Sequence, residues 1–318
     1  MTSSPDGRVV VLAGGLSPER DVSLRSGRRV AEALRQTGAR VDVLDVDGGL
    51  LASLAADRPS CVVPLLHGAS GEDGAVRGVL EALGLPFVGS DPQACRSAFD
   101  KPVASARVHD AGVAVPPSFV LASSTFRELG AVAVLDAVVA RLGLPLMVKP
   151  TRGGSSLGAS VVRAVADLPG AMMAAYAYGD TALIERFVTG TEVAVSVLDD
   201  GSGATALPVV EIVADGGFYD YGARYTAGAT EFFVPARLSD EVLAACASTA
   251  LRVHDTLGLR DWSRSDLIVD ADGRPWFLEV NVAPGMTETS TYPQAITAAG
   301  LDLGSTTAAL VAIATSRA

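Results

Sequence analysis

The run Arg264-Ser265-Asp266-Leu267-Ile268-Val269-Asp270-Ala271-Asp272-Gly273-Arg274-Pro275-Trp276-Phe277-Leu278-Glu279-Val280-Asn281 carries the most information in this chain. Its two apolar stretches around a turn-forming centre predict a β-hairpin. A four-residue loop over Ala271–Arg274 sets Asp270 opposite Pro275, and that register brings Asp266 opposite Glu279 and Arg264 opposite Asn281. Side chains alternate between faces along a strand, so these four share one face, while Leu267, Val269, Leu278 and Val280 are expected on the apolar other. Directly opposed side chains act on one another, and two opposed carboxylates repel unless a cation lies between them. Hard oxygen ligands of this kind suit Mg²⁺, which binds nucleotide phosphates through one or two carboxylates and keeps some of its water. The competing reading is a surface hairpin with solvated charges, and the apolar opposite face argues against it.

Upstream, Val148-Lys149-Pro150-Thr151-Arg152-Gly153-Gly154-Ser155-Ser156-Leu157-Gly158 puts a lysine at a strand end and a small-residue turn directly after it. Glycines let backbone N–H groups approach phosphate oxygens, and serine hydroxyls add donors. The lysine precedes the loop, so this is not a Walker-type phosphate loop; standing alone, it reads as an ordinary glycine-rich turn. Lys101, after Asp100, is a second candidate cation, or by itself a solvated helix charge. Ile184–Val188 is either a connecting strand or an extended backbone edge able to meet an adenine, with Glu192 placed to accept from ribose hydroxyls.

The rest of the chain alternates strands and helices, which predicts an α/β fold with a parallel sheet in the first part. Strands are expected at 8–13, 41–46, 61–66 and, briefly, 87–89, with helices at 19–36, 50–56 and 76–83. Further on, helices are expected at 100–110, 131–142 and 241–257, and strands at 146–149, 160–162, 182–185, 192–198 and 206–212. A long loop at 214–230 contains four glycines and three tyrosines, a composition suited to a lid.

The chain has 318 residues, 49% of them hydrophobic, enough for two or three domains. With 25 Lys and Arg against 36 Asp and Glu, the net charge of −11 argues against a grip on nucleic acid. Three scattered cysteines and three scattered histidines form neither a disulfide framework nor a zinc motif. The first apolar stretch, Val9–Ala13, is too short for a signal-peptide core, and no run approaches the length of a membrane span. A cytoplasmic protein with no membrane partner is the expectation.

Taken in order, eight segments resemble the D-alanine–D-alanine ligase family of the ATP-grasp superfamily: Gly14–Gly27, Leu66–Gly74, Asp100-Lys101, Val148–Gly158, Ile184–Glu192, Phe218–Tyr225, Arg264–Asp266 and Leu278–Ser290. The resemblance implies a three-domain ATP-grasp architecture: an N-terminal Rossmann-like parallel-sheet domain at 1–96, a central domain at 97–188, and a catalytic domain at 189–318 with a lid at 216–230. It implies that ATP phosphorylates the carboxylate of one D-alanine and that the amine of a second attacks the acyl phosphate. Two Mg²⁺ or Mn²⁺ ions would lie on Asp266, Glu279 and Asn281. Lys101, Lys149 and Arg224 would contact phosphates, and Glu185, Phe187, Val188 and Glu192 the adenosine. Glu19 would hold the first ammonium near His67, and Glu19, Ser155 and Tyr225 would form a hydrogen-bonded set fastening the lid. Arg264 and the N–H of Gly285 would form an oxyanion hole, with Ser290 on the second carboxylate and Thr291 beside it. The resemblance also implies a homodimer.

Three residues depart from the family pattern. Arg224 replaces a lysine, Gly153 stands where an acidic residue is frequent, and Thr291 stands where a leucine or methionine packs. The last substitution bears on the second amino acid accepted, so a ligase of the same mechanism with another acceptor is the alternative. A nucleotide-binding scaffold without activity is disfavoured, since Arg264, Asp266, Glu279 and Asn281 are all intact.

Overall fold

The computed structural model describes residues 7–215 and 228–317. Its first layer grows from three consecutive valines. β1 (Arg8–Leu12) lies between β2 (Arg40–Leu44) and β3 (Cys61–Pro64), all parallel. Val9, Val10 and Val11 are wholly buried because a central parallel strand is covered on both faces. One cover is α1 (Arg20–Gln36), which presents Gly27, Val30, Ala31 and Leu34 at helical spacing. A Cβ on Gly27 would sit 2.4 Å from that of Ala13, so only glycine allows this approach. The opposite face carries α2 (Leu50–Ala56), α3 (Ala69–Glu72) and α4 (Ala75–Ala82), of which α2 and α4 share a core with Val10, Leu12 and Val62. The short strand expected at 87–89 is a single bridge between Val62 and Phe87.

Two capped helices lead out of this layer. Asp91 accepts from the N–H groups of Gln93 and Ala94 at the start of α5 (Pro92–Phe99), and Asp100 accepts from Val103 at the start of α6 (Lys101–Asp110). A four-stranded antiparallel sheet follows, ordered β4 (Ser118–Ala122), β7 (Thr181–Arg186), β5 (Leu146–Pro150), β6 (Ser160–Val162). With α7 (Ser123–Leu129), α8 (Ala131–Leu142) and α9 (Leu168–Tyr176) it encloses a core drawn only from residues 121–184.

The third sheet is antiparallel, ordered β11 (Thr230–Phe233), β10 (Val210–Ala214), β8 (Thr191–Asp199), β12 (Trp262–Val269), β13 (Pro275–Asn281), with β9 (Ala204–Ala206) also on β8. The single strand expected at 206–212 is therefore two, broken where Leu207-Pro208 leaves the ladder; proline has no N–H to give it. One face packs on α5, α6 and α10 (Asp240–Thr256). The other shares a core with β1, β3 and α1 through Leu198, Val210 and Trp262. Two terminal helices, α11 (Thr291–Ala298) and α12 (Leu303–Ser316), complete that core through Tyr292, Leu310 and Val311. Among the described residues no single helix is long and apolar enough to cross a membrane.

The hairpin differs from expectation in one instructive way. Arg264 opposes Asn281 and Asp266 opposes Glu279, as expected, but Val269 rather than Asp270 opposes Pro275. The turn is one residue longer at its tip, and a β-bulge between Asp266 and Leu267 absorbs the difference on the β13 side, at Leu278. Phe277, fully buried, thus takes the core position facing Leu267. Leu278, expected in the core, instead lines a cleft.

Candidate active site

Two adjoining cavities lie between the four-stranded sheet, the hairpin and the N-terminal layer, and Asp266 and Glu279 line both. The larger, about 460 Å³, is also lined by Lys101, Lys149, Glu185, Phe187, Val188 and Glu192, with Leu278 and Ile268. The smaller, about 80 Å³, gathers Glu19, His67, Ser155, Arg264, Asn281, Gly285, Ser290 and Thr291. Every site residue expected from sequence therefore lines one of the two, except Arg224 and Tyr225. Those two lie outside the described residues, as does most of the expected lid.

The charges of the shared wall are matched. Arg264 donates twice to Asp266, at 2.7 Å each, a bidentate pair formed two residues apart on β12. Lys101 donates to the Gly153 carbonyl at 2.6 Å and pairs with Glu279 at 3.1 Å. It is buried rather than a solvated helix charge. Asn281 Nδ2 lies 3.4 Å from Asp266. Among the described residues, no three His, Cys, Asp or Glu side chains gather as a metal cluster. A cation at this rung would be held by two carboxylates and an amide, leaving room for phosphate oxygens, which is how Mg²⁺ is commonly bound at nucleotide sites. The donor set fits.

In the larger cavity, Lys149 Nζ lies 2.7 Å from Glu185 across the β5–β7 ladder, and both are largely buried. The loop after Lys149 is held in an unusual shape. Ser155 and Ser156 have φ of 51° and 57°, a left-handed conformation that costs a non-glycine residue energy and concentrates at functional sites. Ser155 Oγ donates to Glu19, tying this loop to the N-terminal layer.

The smaller cavity has a relay at its back. The N–H of Met286 donates to Ser26 Oγ (3.0 Å), Ser26 lies 3.1 Å from His67 Nε2, and His67 Nδ1 lies 3.0 Å from the Ala283 carbonyl. Each donor finds an acceptor only when His67 is neutral and carries its proton on Nδ1. Burial agrees, pushing the imidazole down to about 4. Arg29 adds bonds to the Met286 and Thr287 carbonyls, so α1 fixes the loop that carries Gly285. A Cβ on Gly285 would meet Ser290 Oγ at 2.8 Å, so a larger residue there would have to displace that hydroxyl.

Glu72 also lines the smaller cavity, and the sequence reading assigned it no role. It sits inside the quoted run Leu66–Gly74, which is the only signal that could have found it. Its carboxyl is raised to about 8 by burial and then by the Glu19 charge, while the Gly68 N–H donates to it at 2.8 Å. Burial beside a second carboxylate thus favours its protonated form.

A family profile described as "D-ala D-ala ligase C-terminus" matches residues 108–312. The chain is 43% identical to the D-alanine–D-alanine ligase of Bordetella petrii over 93% of this chain and 88% of that protein. The chain belongs to the D-alanine–D-alanine ligase family. The ligase of Anaeromyxobacter dehalogenans is 44% identical over 93% of this chain and 92% of that protein. The crystal structure of the Bacillus anthracis D-alanine–D-alanine ligase superposes with a TM-score of 0.82 at 28% identity, covering 98% of this chain and 97% of that one. The VanG D-Ala:D-Ser ligase of Enterococcus faecalis follows at 0.81 and 28%, over 96% and 99%. The ATP-grasp architecture and its parallel N-terminal sheet agree with these neighbours, and family membership carries with it the use of ATP and a divalent metal.

Proposed function

We infer that this enzyme joins two D-alanines into D-alanyl-D-alanine with ATP and a divalent metal, supplying a precursor of peptidoglycan in the cytoplasm. The observation that carries the residue-level reading is the wall of Asp266 and Glu279 shared by a nucleotide-sized cavity and a much smaller one. Phosphoryl transfer needs a carboxylate and a terminal phosphate brought to one place, and a shared charged wall does that.

In this reading the adenosine lies against Glu185, Phe187, Val188 and Glu192, with Leu278 and Ile268 as apolar floor. Lys101 and Lys149 turn their ammonium groups to the phosphates, exchanging or sharing their present partners Glu279 and Glu185. Arg224 would join them when the lid closes. Asp266, Glu279 and Asn281 would hold two Mg²⁺ or Mn²⁺, which when bound would draw negative charge off the phosphate oxygens. Glu19 receives the first D-alanine's ammonium, and protonated Glu72 limits the negative charge around it. Neutral His67 presents no competing cation there. Arg264 and the Gly285 N–H face the developing oxyanion, a role worth about 3 kcal/mol per fixed donor. Ser290 takes the second carboxylate, and Ser155 with Glu19 would join Tyr225 to fasten a lid against water. The division into 1–96, 97–188 and 189–318, and a homodimer, belong to the same reading.

One observation favours a broader acceptor range. Thr291 lines the smaller cavity, is buried, and its Oγ1 makes no hydrogen bond among the described residues. A hydroxylated second amino acid could use that group, whereas an apolar residue would discriminate by only ~1–3 kcal/mol. The test is phosphate release with D-alanine alone and with D-alanine plus D-serine, D-lactate or L-alanine. Absence of turnover with D-alanine alone abandons the main reading; a D-serine rate above that with D-alanine selects the second.

A further inference from the structure

The segment Ala283–Thr287 is held from outside, one peptide group after another. His67 Nδ1 lies 3.0 Å from the Ala283 carbonyl, and the Met286 N–H donates to Ser26 Oγ at 3.0 Å. Arg29 Nη1 gives one hydrogen to the Met286 carbonyl at 3.2 Å and the other to the Thr287 carbonyl at 2.6 Å. The Thr287 N–H donates to Ser290 Oγ at 3.1 Å. Between these stands the peptide group of Pro284 and Gly285, which makes no hydrogen bond among the described residues. Gly285 lines the smaller cavity. An open N–H whose neighbours on both sides are fixed is preorganised for a negative oxygen that arrives there.

Two of the side chains that hold this segment come from α1, and so does a third group of the cavity. Glu19 is the N-cap of that helix, and it lines the same cavity as Gly285. At 1.5 Å per residue, Ser26 lies about 10 Å and Arg29 about 15 Å along the axis from Glu19. Ser26 and Arg29, three residues apart, share one face of the helix. The helix is packed on the parallel sheet through Gly27, Val30, Ala31 and Leu34, with no room for a larger residue at Gly27. One rigid element thus carries both the carboxylate at one side of the cavity and the clamp on the N–H at the other. Ser26 holds a single peptide group, whereas Arg29 spans the next two, which limits how the segment can turn about the Ser26 bond.

We propose that Arg29 is a positioning residue for the ligation: by clamping Met286 and Thr287 to α1 it sets the distance from Glu19 to the Gly285 N–H. This rests on the reading above, in which Glu19 receives the first ammonium and Gly285 faces the oxyanion. Arg29 touches no substrate and acts through the loop. The first D-alanine is anchored at its ammonium, and the same helix dictates where the donor meets its carboxyl oxygen. Misplacement of that donor by a fraction of an ångström weakens the contact in the transition state and leaves ammonium binding in place.

The test compares the full chain with Arg29→Met, which keeps an apolar stem and loses the donors, with Arg29→Lys, and with Arg28→Met, an exposed neighbour that loses the same charge. Hydrogen–deuterium exchange of residues 283–290, read without substrates and below the melting range, speeds up about tenfold in Arg29→Met. In D-alanine-dependent phosphate release from ATP, kcat of Arg29→Met falls about 10–100-fold. Its KM for ATP and for the first D-alanine stays within about twofold of the parent, a split that general loosening of the fold would not give. Arg29→Lys recovers kcat to within about threefold, and Arg28→Met matches the parent in both readouts. Unchanged exchange at 283–290 overturns the proposal whatever the turnover. Faster exchange with an unchanged kcat, or a kcat loss matched by a rise in KM for ATP, overturns it as well. A parent that releases no phosphate with D-alanine would instead overturn the reading of the reaction, while the exchange readout still decides whether Arg29 clamps the loop.

Discussion

Replacing Glu279 by glutamine keeps the side chain's shape and removes its charge, so it separates the two demands placed on the shared wall. For the fold, Lys101 Nζ at 3.1 Å loses a charged acceptor, a change of about 1.5–3 kcal/mol. Against that, Asp266 no longer faces a like charge across the rung, which returns about 0.2–1 kcal/mol. The net loss is about 0.5–3 kcal/mol, or a midpoint roughly 1–6 °C lower. For the reaction as proposed, one of the two carboxylates that would face the phosphate end of the nucleotide is gone. Loss of a fixed group that stabilises transition-state charge lowers kcat by about 10²–10³-fold. The assay is D-alanine-dependent phosphate release across a magnesium titration, with thermal melting on the same preparation. A kcat within about threefold of the parent at saturating magnesium would remove Glu279 from the metal wall. A melting loss far above the figure given would show that the charge is mainly structural.

Three further outcomes follow from particular contacts. Ser26→Ala strands the Met286 N–H and His67 Nε2 in a buried place, costing about 2–5 kcal/mol in urea unfolding; a loss under about 1 kcal/mol would mean the relay does not form. Glu72, raised to about 8 from 4.5, binds its proton more tightly folded than unfolded, so its contribution to stability declines as pH rises from about 4.5 to about 8. Glu72→Gln should therefore gain on the parent in melting midpoint across that window and level off above it; a pH-independent gap contradicts the raised value. Phe277→Ala should cost about 3–5 kcal/mol, while Leu278→Ala costs under about 1.5 kcal/mol but raises KM for ATP about five- to tenfold. Equal stability losses would mean that Leu278, not only Phe277, is a core residue.

Much of the site was legible because its chemistry is written in local runs. Lys149 with its serine-glycine turn, and Asp266 facing Glu279, need only strand alternation and short-range spacing. The hairpin register was nevertheless reached through two departures that cancel, a longer tip and the bulge at Leu278. Alternation alone gives no sign of a bulge, so Leu278 was assigned to the wrong face. The relay through Ser26 depends on a loop more than 200 residues away, and the character of Glu72 on burial against Glu19 from another segment; such packing has no local signature. The helix Pro92–Phe99 was missed although Asp91 and Pro92 mark its start, because its buried positions are small and weakly apolar. The terminal helices 291–298 and 303–316 were missed because threonine, serine and alanine blur their helical period.

The partition of the cores has a mechanical corollary. The first and third sheets share buried side chains, and α1 grips the loop around Gly285 through Ser26 and Arg29, so the smaller cavity is walled by one continuous body except at Ser155, which reaches in from the loop after β5. The four-stranded sheet owns its interior entirely. In the proposed reading, nucleotide entry and ADP departure would amount to a jaw tilting against a stationary anvil, with the peptide product resting mainly on the part that stays still.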